Sequence, residues 1–144
     1  MSRFLLPAIL MLGLVACQGE REVLEVDLTT ERLSPAEVQD WPAPVVQSGL
    51  PEITVQQIFT AQGPCRTLEA ALMPRYPGEY LLRVAAEDLS PCEDDTPYIG
   101  YTAVLRGLPP GSHRLRVVHF SADGRPLAEA VLEHPIIVTH RTDR

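Results

Sequence analysis

The sequence predicts an all-β fold, an antiparallel β-sandwich of about seven strands over residues 52–139. Apolar and polar residues alternate along several short runs, and turn-forming residues separate these runs at intervals of about 8 to 15 residues. The composition agrees, because 14 Pro and 9 Gly among 144 residues, with 6% aromatic residues, suit strands and turns better than helices.

The predicted strands follow one another with a turn signal between most neighbours. They are the run containing Ile53, Val55 and Ile58, then residues 67–73, 80–87, 98–105, 113–120, 127–132 and 136–138. Gly63-Pro64, residues 74–78 and the stretch 107–111 predict turns, and Asp123-Gly124 is a strong two-residue hairpin signal. His134-Pro135 predicts a bulge or bend near the end of the domain.

The first residues resemble the signal sequence of a bacterial lipoprotein. Arg3 precedes an apolar run over residues 4–15, which is shorter than the roughly 20 residues of a membrane-spanning helix and typical of a secretory signal. The run ends in Leu14-Val15-Ala16-Cys17, which resembles a lipobox. The resemblance implies that residues 1–16 are removed and that palmitate-type acyl chains on Cys17 anchor the protein. A plain signal peptide with an incidental Cys, or an N-terminal core strand, is the alternative.

The residue after Cys17 bears on which bacterial membrane would hold the protein. By resemblance to the sorting rules of enterobacteria, a residue other than Asp, here Gln18, favours the outer membrane over the inner one. We therefore expect a protein of the bacterial cell envelope that is lipid-anchored and faces the periplasm, with the membrane as its first partner.

Residues 17–51 are expected to hold the lipidated cysteine and a Pro-rich tether, and residues 140–144 a C-terminal tail. Residues 23–28 alternate only partly and form a possible first strand. Ser34 and Glu37 match a capping box with Pro at the first helical position, so a helix of one or two turns is expected there. Trp41 suggests that this segment packs against the domain.

Two cysteines remain beyond Cys17, namely Cys65 and Cys92. An even pair in an oxidising compartment predicts one disulfide. The bond would close a loop of about 28 residues and stabilise the fold by about 3.5 kcal/mol in the chain-entropy model. It would secure a loop without crossing the core. A reactive or metal-binding pair is the alternative.

Residues 107–117, which read Gly-Leu-Pro-Pro-Gly-Ser-His-Arg-Leu-Arg-Val, resemble a turn and strand of fibronectin type III-like and carboxypeptidase regulatory-like domains. In those families an aromatic residue, usually Tyr, follows the turn and hydrogen-bonds back to it. His113 stands in its place here. The resemblance implies an immunoglobulin-like sandwich, as in other small bacterial lipoproteins, and implies no activity.

Two histidines of one strand and an acidic loop are the candidate metal ligands. His113 and His119 have the same strand parity, but six residues of strand separate them by about 20 Å, so they cannot chelate one ion together. The acidic loop with Glu93, Asp94 and Asp95 lacks the spacing of an EF-hand. We expect structural histidines at the strand ends, a solvated loop, no metal and no cofactor.

Catalysis and nucleic-acid binding are not expected. The net charge is −7, all 12 basic residues are Arg, and without Lys a P-loop lysine or a Schiff base is excluded. A Gly-x-Ser-x-Gly element is also absent. Arg114, Arg116 and Arg125 are predicted on the solvent side of a hairpin, where they form either a site for carboxylates or phosphates or an ordinary charged face.

These observations favour a non-catalytic lipoprotein that acts as an interaction or structural module, with an envelope protein as a possible partner. A ligand-binding or metal-ion-binding lipoprotein that faces the periplasm is the alternative.

Overall fold

The computed structural model describes residues 23–63, 65–89 and 96–141, and in these it shows two four-stranded sheets around one core. The elements in chain order are β1 (Glu25–Leu33), α1 (Glu37–Asp40), β2 (Val45–Gln47), β3 (Ile53–Thr60), β4 (Arg66–Tyr76), β5 (Glu79–Asp88), β6 (Tyr98–Arg106), β7 (Gly111–Phe120) and β8 (Leu132–Val138). The predicted all-β sandwich is therefore confirmed, with eight strands in place of about seven.

The two sheets differ in how their strands pair. Sheet A has the order β1-β6-β3-β2, and all its pairs are antiparallel. Sheet B has the order β4-β5-β7-β8, and in it β5 runs parallel to β7 while the other pairs are antiparallel. The parallel pair arises because the chain leaves sheet B after β5, forms β6 in sheet A and then returns.

The core lies between the two sheets and takes alternate residues of each strand, as the period of two predicts. Sheet A contributes Val55 and Tyr101 and sheet B contributes Leu82 and Val117, all completely buried. Burial of an aliphatic side chain of this size stabilises a fold by about 1.5–3 kcal/mol. Hydrogen bonds between paired strands hold each sheet together, and burial of these side chains holds the two sheets face to face.

Within the described residues the sandwich includes β1 from Glu25, so residues 25–51 of the expected tether belong to the fold and the boundary placed at residue 52 is wrong. Strand β1 pairs with β6 along its whole length, from Glu25 opposite Arg106 to Leu33 opposite Tyr98. Val26 and Leu28 pack against the core, whereas Asp27 between them is exposed. Without β1, the apolar strand β6 would present an open edge.

The segment after β1 folds against sheet A. Ser34 and Glu37 form the expected capping box, because Ser34 N–H donates to Glu37 Oε2 at 2.7 Å and Glu37 N–H donates to Ser34 Oγ at 3.4 Å. The single-turn helix α1 follows. The indole of Trp41 lies over Gly100 of β6, where a Cβ atom would come within 2.7 Å of its ring. Trp41 therefore does pack against the domain.

Proline falls inside two of the strands. Pro74 lies in β4, which continues to Tyr76 through an irregular register instead of ending in a turn at residue 74. Pro135 lies in β8, which runs without a break from Leu132 to Val138, so the expected bend at His134-Pro135 does not interrupt it. Both strands are at the edges of sheet B, where Pro is tolerated.

The connections define two ends of the sandwich. The entry end is where the described chain begins, at Val23, and it also contains the β6–β7 turn at residues 107–110, the β4–β5 turn at residues 76–78, and Leu50, which bridges to Val138. The far end contains Ala61, Tyr98 and the turn of residues 121–125 after β7.

Candidate functional site

A cleft opens at the far end, where β5 and the neighbouring β7 both end. It consists of two adjoining recesses of about 380 and 600 Å³ that share Asp88, Ser121 and Ala122. We call it the far-end cleft. Its other lining residues are Gln62, Arg66, Glu69, Arg83, Ala85, Ala86, Glu87, Asp123, Gly124, Arg125, Pro126 and Leu127.

The turn after β7 forms one wall of the cleft. Ser121 N–H donates to the carbonyl of Arg125 at 2.8 Å, and Gly124 N–H donates to the carbonyl of Ser121 at 2.9 Å. A turn is thus present at Asp123-Gly124, but it spans residues 121–125 in place of a two-residue hairpin, and the strand predicted over residues 127–132 is absent because β8 starts at Leu132. The Ser121 hydroxyl also hydrogen-bonds to the Asp123 carboxylate, which lowers the pKa of Asp123.

Ion pairs line the cleft. Arg66 pairs with Asp88, and Arg125 Nε lies 3.1 Å from Asp123 Oδ2. Asp88 and Arg125 are largely exposed. Exposed pairs of this kind contribute little to stability because water screens them, so the charges of a partner can replace them at little cost.

A second charged group lies at the rim. Arg83 Nη1 lies 2.8 Å from Glu69 Oε1, and this hydrogen bond lowers the pKa of Glu69. Glu87 hydrogen-bonds to Glu69, which raises the pKa of Glu87. The Arg83 guanidinium also lies over the ring of Phe120, 4.9 Å from its centroid. The rim therefore presents two neighbouring carboxyl groups beside one cation.

The three predicted arginines do not form a common site. Arg116 pairs with Glu129 and Glu133, each with a 3.3 Å nitrogen–oxygen distance, and Arg125 pairs with Asp123. Arg114 is exposed and faces Pro135 in the register of β7 and β8. The chain itself supplies carboxylates to two of the three, which fits the ordinary charged face.

The two histidines considered as metal ligands, His113 and His119, lie near opposite ends of β7. His113 Nε2 donates to the carbonyl of Pro109 at 2.7 Å, and its ring meets Tyr80 edge-on with centroids 5.3 Å apart. This bond reaches back to the turn four residues earlier, so His113 makes the kind of contact that Tyr makes in the resembling families.

His119 is buried in the core near the far end. Its Nε2 forms a hydrogen bond of 2.9 Å with the Tyr101 hydroxyl, and the centroids of its ring and of the Phe59 ring are 4.7 Å apart. Burial lowers the pKa of His119 to about 4 and raises the pKa of Tyr101. Neutral His119 is thus a satisfied core residue at neutral pH.

Several predicted site residues lie outside the described residues, namely Cys17, Cys92, Glu93, Asp94 and Asp95. Within the described residues, no group of three or more His, Cys, Asp or Glu side chains is placed to hold a metal ion. Cys65 is described, just before β4, with φ of 60°. Its disulfide with Cys92 stays a prediction.

Sequence reasoning missed the cleft residues Glu69 and Ser121. Strand parity places Glu69, Arg83 and Glu87 on one face of sheet B, which is a signal present in the sequence. Ser121 joins them only through the parallel pairing of β5 with β7, and parity carries no information about which strands pair.

In the described part of the chain, no helix is long and apolar enough to cross a membrane. Comparison with known proteins finds no matching family model, and neither the curated proteins nor the solved structures include a significant match.

Proposed function

We propose that this protein is a non-catalytic lipoprotein of the bacterial cell envelope, held to its membrane by acyl chains on Cys17, and that it binds another envelope protein through its far end. The observation that carries the proposal is the apolar run of residues 4–15 followed by Leu14-Val15-Ala16-Cys17.

The position of the first described residue supports a short connection to the membrane. Val23 lies against Gly107, where a Cβ atom would clash with the Val23 carbonyl oxygen. From Cys17 to Val23 the chain extends by at most about 20 Å. The entry end then faces the bilayer, and the far end faces away from it.

The far-end cleft suits a protein partner. Its walls carry exposed groups of both signs, such as Asp88 and Arg125, and these are held only by weak surface pairs. Exposed Leu89 adds an apolar contact beside them. A surface of this mixed kind resembles the polar rim and small apolar centre of transient interfaces.

The proposal is tested by fractionation and site-specific photo-crosslinking in living cells. The full-length chain should sediment with membranes, and its Cys17→Ser variant should not. A photo-reactive residue at Ala122 in the cleft should give one discrete crosslinked protein. The same residue at exposed Ala71, in β4, is the matched control and should not give that product. Membrane retention of Cys17→Ser, or equal crosslinking at both positions, would contradict the proposal.

A further inference from the structure

Exposed large apolar side chains gather at the entry end. Among the described residues, Val23, Leu50, Tyr76 and Ile137 are 73%, 54%, 62% and 55% exposed, and all four lie at or beside this end. The other two exposed large apolar residues are Met73, which precedes Tyr76 by three residues in β4, and Leu89, which lies at the far end. Exposed apolar groups concentrated on one surface mark a contact with another apolar phase.

Backbone contacts fix these residues in place. Gly49 N–H donates to the carbonyl of Ile137 at 2.6 Å, and Thr139 N–H donates to the carbonyl of Leu50 at 3.2 Å. On the other side, Arg114 N–H donates to the carbonyl of Gly78 at 2.8 Å and so holds the turn that carries Tyr76. Exposed Pro109 and Pro110 occupy the turn between the two sides.

The charges of the entry end pair largely with one another. Arg106 Nε lies 2.9 Å from Glu52 Oε1, and Arg141 Nη2 lies 3.5 Å from the same oxygen. Arg106 also lies 3.7 Å from Asp27. Arg75 instead places its guanidinium 5.6 Å from the centroid of the Tyr76 ring. The exposed apolar side chains thus lie among charges that are mostly paired within this end, with one aromatic–cation pair at Tyr76 and with Arg114 exposed at the start of β7.

We propose that the entry end is a membrane-contacting surface that rests on the same phospholipid bilayer as the acyl chains of Cys17. The inference depends on the proposed lipid anchor, because the short chain from Cys17 to Val23 brings this end to the headgroups. Tyr76 enters the interfacial layer with its ring in the apolar part and its hydroxyl in water. Arg75 extends to the lipid phosphates beside it.

The chain contains its own probes for a test, because its four tyrosines are Tyr76, Tyr80, Tyr98 and Tyr101. The full protein is expressed with 3-fluorotyrosine, purified from membranes and placed in vesicles of phosphatidylethanolamine and phosphatidylglycerol. A fraction of the lipids carries a spin label on the headgroup. Single Tyr→Phe variants assign the fluorine resonances. The mass of the N-terminus is measured on the same preparation.

The Tyr76 resonance should broaden much more than that of Tyr98. Strand β6 is 9 residues long, so Tyr98 lies about 30 Å from the entry end, and spin-label broadening falls steeply with distance. Because salt screens attraction between charges but not burial of apolar side chains, the difference should persist at high salt. Its loss at high salt would overturn an apolar contact.

The possible failures can be separated. Equal broadening of Tyr76 and Tyr98 on an acylated chain would overturn the membrane contact and leave the lipid anchor standing. An unmodified N-terminus would overturn both. A Tyr76 resonance that shifts with protein concentration without lipid, and does not broaden in vesicles, would assign the surface to a second copy of the chain.

Discussion

Trp41 and Gly100 form a contact that depends on the absence of a side chain. Replacing Gly100 by Ala would put a Cβ atom 2.7 Å from Trp41 Cε2, so the indole must move. We expect the Gly100→Ala change to lower the free energy of unfolding by about 1–3 kcal/mol, as overpacking does. Urea denaturation followed by circular dichroism measures this change.

Removing the indole provides the control for that prediction. In a Trp41→Ala background the added methyl group meets no ring, so Gly100→Ala should cost much less than in the native chain. An equal cost in both backgrounds would show that the two residues are independent.

His119 should make the fold sensitive to acid. Its pKa is about 4 in the folded protein because of burial, against about 6.5 in an unfolded chain. Between these values the unfolded chain binds the proton and the folded one does not, so stability falls as the pH decreases from about 6.5 to 4 and the loss is complete below that. The expected loss is about 3 kcal/mol, measured by urea denaturation at several pH values.

Two variants separate burial from hydrogen bonding in this effect. His119→Phe should remove this part of the pH dependence. Tyr101→Phe should lower stability by about 1–3 kcal/mol at every pH, because it leaves a buried nitrogen without a partner, but it should keep the slope. A slope unchanged by His119→Phe would assign the acid sensitivity to other groups.

At the scale of elements, β1 and α1 are integral to the sandwich. A chain that starts at residue 52 would lack β1, β2 and Trp41, and it would leave β6 with an open edge. We expect this chain to give no cooperative thermal transition by circular dichroism. A chain that starts at residue 23 is the matched control and should unfold cooperatively. A normal transition for the shorter chain would restore the tether interpretation.

The position of Cys65 favours the predicted disulfide with Cys92. Leu89 N–H donates to the carbonyl of Cys65 at 2.8 Å, so the loop containing Cys92 starts beside Cys65. The three residues of chain from Leu89 to Cys92 span at most about 10 Å, so Cys92 lies within that distance of Leu89.

Peptide mapping without reductant tests the bond and should recover Cys65 and Cys92 in one linked fragment. Replacing both by Ser should lower the free energy of unfolding by about 3.5 kcal/mol. Free thiols at both positions would contradict the bond.

The sequence predicted the faces of the strands better than their partners. Tyr80, Leu82 and Val84 alternate with Leu81, Arg83 and Ala85, and this pattern identifies β5 and the face that it packs against the core. Residues 23–28 predict only a possible strand within the tether because their alternation is partial, whereas β6 pairs with the whole of β1 and covers its apolar face. The far-end cleft was not foreseen, because its walls meet only through the pairing of β5 with β7.

At the scale of the whole molecule, the two ends of the sandwich differ in the residues that they expose. The exposed apolar residues lie at the end that contains Val23, the first described residue, and the open charged cleft lies about one strand length away, roughly 30 Å. With its two ends so different, the protein would rest on a bilayer by its entry end while its far end contacts a partner. The proposed orientation on the bilayer depends on acylation of Cys17.

The mass of the N-terminal tryptic peptide tests that dependence most directly. Trypsin cleaves after Arg21, so the mature chain purified from membranes should yield Cys17-Gln18-Gly19-Glu20-Arg21 with a diacylglyceryl group on sulfur and an acyl group on the amine. This result would establish the anchor. An unmodified peptide, or a fragment that still contains residues 4–21, would contradict the account.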